Sequence, residues 1–201
     1  MSQAEKETVS VLRAAIGKKY VLTDQQSLEF YSMDVYRSFE IPIAVVQPGS
    51  VEELQEVVRV ATGLGMAIVA RGGGASYTDG YLPTTPKSIT IDTSRLNKIV
   101  EINEEDMFVT VESGVTWAEM AAALAEKNLR TPFWGPFSGL KATVGGSSSQ
   151  NSLSMGTSAY GGSPESILCY DIVLPSGEIL KTGSSSMENS SAFFRYYGPD
   201  L

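Results

Sequence analysis

Along the first forty residues, Val9, Leu12, Ala15 and Ile16 recur at helical spacing, and Gly17 closes the run. A second short helical turn is expected over Gln25–Tyr31. Ala44-Val45-Val46 is then an apolar strand ended by Gln47-Pro48-Gly49. Ser50 and Glu53 have capping-box spacing, so each side chain is expected to satisfy a backbone N–H at a helix start. Val51, Leu54, Val57, Val58, Ala61 and Leu64 keep the helical period up to Gly65, a left-handed stop. Ala67-Ile68-Val69-Ala70 is a buried strand. The stretch from Ala44 to Ala70 is therefore a strand–helix–strand crossover, which favours parallel pairing.

From Ser88 the pattern becomes short and alternating. Ile89 and Ile91 share a face, Ile99 and Ile102 follow, then Phe108-Val109-Thr110-Val111. Thr116 and Glu119 repeat the capping-box spacing ahead of an alanine-rich helix reaching Leu124. Leu129 to Gly162 is rich in Gly and Ser and is expected to be a long ordered loop; loops of that length in compact domains are usually functional. Ile167–Leu174 and Glu178–Thr182 are hairpin strands around Pro175-Ser176-Gly177. The fold class is α+β. N-terminal helices occupy 1–40, a small parallel βαβ lobe about 41–85, and a larger, mostly antiparallel lobe with flanking helices about 86–201.

Composition narrows the chemistry. The chain has 201 residues, 42% hydrophobic and 19% charged, enough for a real core. No apolar run reaches the length of a membrane span, and no secretion signal opens the chain, so a cytoplasmic protein is expected. A net charge of −8 argues against nucleic acid as a partner. One cysteine excludes a disulfide framework, and the absence of histidine excludes Ser-His-Asp triads, Cys-His dyads and His-ligated metals. No metal site is expected, so the chemistry must come from a borrowed group or from carboxylates, Lys, Tyr and backbone.

Two Gly-rich segments are the candidates. Arg71-Gly72-Gly73-Gly74-Ala75-Ser76-Tyr77-Thr78-Asp79-Gly80 follows the strand ending at Ala70. Adjacent glycines reach positive φ and turn successive N–H groups to one side, a concavity suited to phosphate. No lysine follows, so this is no P-loop; Tyr77 stands where the dinucleotide fingerprint needs a third glycine. Taken alone, the loop is equally a flexible turn between strands. Thr143-Val144-Gly145-Gly146-Ser147-Ser148-Ser149-Gln150-Asn151 permits close approach of a flat ligand, or is a polar surface loop.

In this order, with Val45–Leu54, Val111–Trp117 and Tyr160-Gly161 leading into Asp171–Gly177, the two segments resemble the FAD-binding domain of the vanillyl-alcohol oxidase / p-cresol methylhydroxylase (PCMH) superfamily. Within it, the chain is most similar to FAD-linked oxidoreductases of the glycolate oxidase and D-lactate dehydrogenase type. The resemblance runs from about Ala44 to Leu201.

It implies a two-lobed PCMH-type domain binding FAD. Gly72, Gly73, Gly74, Ala75, Ser76 and Tyr77 would cradle the pyrophosphate through backbone N–H groups. Thr143, Gly145, Gly146 and Ser149 would line the ribityl chain and isoalloxazine, with Ser138 and Leu153 nearby, and Ile172 would meet the cofactor through its main chain. Some relatives attach flavin through a histidine where Ala75 stands, so non-covalent FAD is expected here. Cys169 is expected to be a small buried core residue, and Tyr77 and Tyr81 to pack. Relatives continue past a Pro-Asp-Leu like Pro199-Asp200-Leu201, which implies an N-terminal fragment, inactive alone, without the substrate-binding cap domain. The activity implied is oxidation of a small 2-hydroxy acid or alcohol by hydride transfer to FAD, with the electron acceptor and catalytic acid or base unassigned and a homo-oligomer open. An NADPH-dependent FAD reductase of the cell-wall precursor type and a non-enzymatic nucleotide-binding module are the alternatives.

Overall fold

A computed structural model describes residues 2–132, 138–188 and 190. The chain forms two compact units, Met1–Leu96 with Val173–Glu178, and Asn97–Ile172 with Ile179–Leu201.

In the first unit, α1 (Gln3–Ile16) begins at a capping box between Ser2 and Glu5 and ends at Gly17, where φ is +88°. Strand β1 (Val21–Leu22), which the periodicity does not reveal, precedes α2 (Gln25–Tyr31), capped by Asp24. Strand β2 (Ala44–Val46), helix α3 (Val51–Gly63) and strand β3 (Ala67–Arg71) then form the expected crossover. The start of α3 differs from expectation. Ser50 Oγ accepts from Glu53 N, but the Glu53 carboxylate turns away to accept from Gly49 N at 2.6 Å.

The parallel strands are also not neighbours. Strand β4 (Ser88–Asp92) inserts between them, giving the order β1-β2-β4-β3, with β1 antiparallel to β2. The alternation of Ile89 and Ile91 groups this strand with those after it. In fact all five of its residues are buried, because a central parallel strand is covered on both faces. Val9, Leu12 and Ile16 of α1 and Val57, Val58 and Ala61 of α3 bury against Ala44, Val46, Ile89 and Ile91. Each such aliphatic side chain is worth roughly 1.5–3 kcal/mol. Thr90, on the same strand, has a buried hydroxyl with no hydrogen-bond partner. The turn Pro175–Gly177 rests on α3: Gln55 donates to the Gly177 carbonyl and Thr62 to that of Pro175, each at 2.7 Å.

In the second unit, β5 (Ile99–Asn103) and β6 (Phe108–Val111) pair antiparallel with an irregularity between Ile99 and Glu101. Helix α4 (Trp117–Ala125) has the full capping box expected from Thr116 and Glu119. Val115, Trp117, Met120 and Leu124 form the core, with Ile99, Ile102, Val109 and Val111 packed on it. The stretch expected as one long loop contains two short helices, α5 (Val144–Ser149) and α6 (Thr157–Tyr160). The last strands, β7 (Asp171–Val173) and β8 (Ile179–Lys181), are shorter than expected. Cys169 precedes β7 and is half-buried, so it is not the core residue that a longer strand would make it. The Pro199-Asp200-Leu201 terminus lies outside the described residues.

Candidate functional site

The first Gly-rich segment leaves β3 at Arg71, which is only 6% exposed. Its Nη1 donates to the Met33 carbonyl at 2.8 Å and lies 3.4 Å from those of Phe30 and Tyr31. The guanidinium carbon sits 5.1 Å from the ring centroids of Phe30 and Tyr31 and 4.7 Å from that of Tyr81. Burial lowers its pKa, opposed by the negative character of nearby Tyr81, Tyr31 and Asp92. The Arg71 guanidinium directs Nη1 to backbone carbonyls. It ties the end of α2 to the root of the loop. Asp92, beside it across β3–β4, accepts from the Tyr31 hydroxyl at 2.5 Å and from Gln47 at 2.7 Å. Burial, then the bond to Asp92, drives the Tyr31 hydroxyl far above the ordinary phenol range.

Beyond Arg71 the loop turns its carbonyls inward. The Tyr81 hydroxyl lies 2.7 Å from the Ser76 carbonyl oxygen and 2.9 Å from that of Gly74. Gly74 has φ +62°, and a Cβ there would come within 2.6 Å of the Arg71 guanidinium, so a side chain is strained there. At the far end Asp79 pairs with Arg37 through two contacts, 2.8 Å to Nε and 2.5 Å to Nη2. Among the described residues, none of the backbone N–H groups of Gly72 through Tyr77 donates to another protein atom. Of the two tyrosines expected to pack, Tyr81 is buried, whereas Tyr77 is 71% exposed.

The second segment behaves differently. Gly145 N donates to the Ser113 carbonyl at 3.0 Å and Gly146 N to Thr143 Oγ1 at 3.1 Å. Val144 N donates to the Val115 carbonyl at 2.8 Å. These nitrogens are held internally, so the glycines contribute shape rather than donors. A Cβ on Gly145 would lie 2.7 Å from Ser113 Cβ and 2.8 Å from the Ser113 carbonyl oxygen. Ser149 Oγ bonds back to the Gly145 carbonyl at 2.9 Å, Ser148 bonds to the Tyr170 hydroxyl, and the buried Ser147 hydroxyl accepts from Trp117 Nε1 at 2.7 Å. Exposed apolar side chains flank the segment, Leu140 before it and Leu153 and Met155 after it. Ser138 is exposed, with its carbonyl capping a turn to Lys141 and Ala142. Ile172 lies half-buried in β7. The sequence brings the two segments to notice but misses Arg71 and Tyr81 as the loop's supports. The one signal for Tyr81 is general: a buried tyrosine must place its hydroxyl on a partner.

The strand before the first segment, expected to be buried, is an edge strand with Ala67 and Ala70 exposed, and the N–H groups of Gly72–Tyr77 that follow it have no partner among the described residues; comparison with known proteins identifies the ligand of this fold. Residues 42–183 match the family described as FAD binding domain. The chain belongs to that family. Its cofactor is FAD, and the first segment fits it, with backbone N–H donors that have no partner among the described residues. The FAD binding domain here is 30% identical over 187 residues to D-2-hydroxyglutarate dehydrogenase of Xanthomonas citri pv. viticola, covering 92% of this chain and 39% of that protein. It is 28% identical to glycolate oxidase subunit GlcD of Bacillus subtilis, covering 81% of this chain and 34% of the relative. The chain thus spans under two fifths of the length of these relatives. A crystal structure of p-cresol methylhydroxylase with substrate bound superposes with TM-score 0.80 at 22% identity, over 100% of this chain and 39% of that one. Alkyldihydroxyacetonephosphate synthase gives 0.82 at 20% identity, over 92% and 36%. The fold is therefore the PCMH-type, as the motifs imply. Among the described residues no helix is long and apolar enough to cross a membrane, and no group of three or more His, Cys, Asp or Glu side chains could hold a metal.

Proposed function

We propose that this FAD binding domain serves an oxidoreductase that oxidises a small 2-hydroxy acid or related alcohol. The observation that carries the reading is the row of unpaired N–H groups from Gly72 to Tyr77. Each hydrogen bond to an anionic oxygen contributes roughly 1.5–3 kcal/mol, so a few hold a pyrophosphate without lysine. The names of the relatives, D-2-hydroxyglutarate dehydrogenase and glycolate oxidase, support the substrate class. FAD, when bound, supplies the hydride acceptor. The residues of this chain bind and orient it: Gly72–Tyr77 hold the pyrophosphate, while Thr143, Gly145, Gly146 and Ser149, with Ser138, Leu153 and Ile172, face the flavin half. The inward-turned nitrogens of Gly145 and Gly146 limit their part to close contact, and the exposed Leu153 offers an apolar surface to a flat ring. With alanine at position 75 and no histidine in the chain, FAD is held non-covalently.

Titration of the purified protein with FAD, followed by anaerobic addition of 2-hydroxy acids or NADPH, tests this. Flavin that binds and is released by acid precipitation is the expected result for this chain, with bleaching by a 2-hydroxy acid expected once the protein is extended to the length of its relatives. Bleaching by NADPH alone would assign the reductase alternative, and failure to bind flavin would remove the oxidoreductase reading altogether.

A further inference from the structure

Tyr81 lies beyond the Gly-rich segment, yet its hydroxyl is the hydrogen-bonding partner of two loop carbonyls, Gly74 and Ser76. No peptide bond of the described chain is cis. In a trans peptide the C=O and the following N–H point in opposite directions. Fixing the Gly74 carbonyl on Tyr81 therefore aims the N–H of Ala75 away from it, and fixing the Ser76 carbonyl does the same for Tyr77. Because both carbonyls meet at the Tyr81 hydroxyl, both N–H groups are turned away from that side. The tyrosine cannot swing: it is 6% exposed and its ring lies against the Arg71 guanidinium, itself held on the carbonyls of residues 30, 31 and 33. From the other end the Arg37–Asp79 pair anchors the loop, with Asp79 at φ +62°.

We propose that Tyr81 is a positioning residue for cofactor binding, its hydroxyl holding the Gly74 and Ser76 carbonyls so that the Ala75 and Tyr77 N–H groups are aimed together at the cofactor pyrophosphate. The inference rests on the FAD reading above. It adds that the donors are pre-set by a side chain that never touches the ligand. Without that hydroxyl the two peptides are free to rotate, and binding has to pay for ordering them.

Tyr81→Phe keeps the ring and its contact with Arg71 and removes only the hydroxyl. Binding of FAD by flavin fluorescence and of ADP by competition, the thermal midpoint of ligand-free protein, and amide exchange at Ala75 and Tyr77 form the test. The expected result is a weakening of FAD and ADP in parallel by about tenfold. FAD-induced protection at Ala75 and Tyr77 is lost, and the ligand-free midpoint moves by no more than about 2 °C. Unchanged affinity for both ligands in the variant overturns the proposal. So does weakening that comes with a large fall in the ligand-free midpoint and loss of protection throughout β2 and β4, the signature of a general structural role. Wild-type protein that binds neither FAD nor ADP would instead remove the cofactor reading itself.

Discussion

At Thr90 and Gly145 the chain carries two residues whose substitution effects run against simple propensity. Thr90 lies fully buried in the central strand, and its hydroxyl finds no acceptor or donor. An unsatisfied buried hydroxyl costs roughly 1–3 kcal/mol, so Thr90→Val should raise stability by about 1 kcal/mol, read as a higher denaturant midpoint at unchanged slope. Gly145 lies within α5, where alanine normally gains roughly 0.5–1 kcal/mol. Here the added Cβ would be 2.7 Å from Ser113 Cβ and 2.8 Å from a backbone oxygen that cannot move without breaking the Gly145 N–H bond. Gly145→Ala should therefore destabilise by roughly 1–3 kcal/mol in equilibrium unfolding, the range for overpacking a close contact. Neither effect is visible in the sequence. The glycine motif can be found there, but its reason, the approach of Ser113 from thirty-two positions upstream, is tertiary.

Among the elements, the same capping-box spacing occurs at Ser50/Glu53 and Thr116/Glu119, with two outcomes. Glu119 closes its box on Thr116 N at 2.9 Å and on the Thr116 hydroxyl at 2.7 Å. Glu53 instead serves Gly49 N and faces Arg95 at 3.4 Å. Local spacing marks both helix starts and leaves open which way the carboxylate turns, since that depends on partners elsewhere. The Thr116 hydroxyl, then its N–H, holds the Glu119 pKa below the ordinary value of 4.5. The folded pKa lies under the unfolded one, so this stabilisation is complete above about pH 4.5 and is lost as pH falls through the folded value. Glu119→Gln should accordingly lower stability near neutrality by about a few tenths of a kcal/mol, kept small by solvent screening, and the difference from wild type should shrink as pH falls below the ordinary carboxylate range in a series of denaturant titrations. The longer helices and strands were legible because their period spans several residues, whereas the two-residue β1 was not. The short α5 and α6 were not, for Gly and Ser carry no hydrophobic period and the helices are held by Thr143 and by neighbouring backbone. The burial of β4 on both faces was equally hidden, because Ser88 and Thr90 read as a polar side.

For the whole molecule, a net charge of −8 and a cradle of neutral N–H groups set an unusual response to salt. The guanidinium at the root of the loop is enclosed by three rings and directs Nη1 to backbone carbonyls. A site built on exposed lysines loses anion affinity steeply as salt rises. Here screening mainly relieves repulsion between an acidic protein and an anionic ligand. The FAD dissociation constant is thus expected to stay within about threefold, or to tighten, between 20 and 500 mM NaCl, as isothermal titration would show. The Arg71 cage has a practical corollary as well. Its oxygen acceptors, on Phe30, Tyr31 and Met33, lie upstream of the 42–183 stretch shared with the family. Trimming a recombinant protein to that shared stretch would strip a desolvated cation of its partners and remove the helix that seals one side of the sheet. The boundary of the family's shared stretch at residue 42 is narrower than the one drawn by mechanical support, and a trimmed protein should keep α1 and α2.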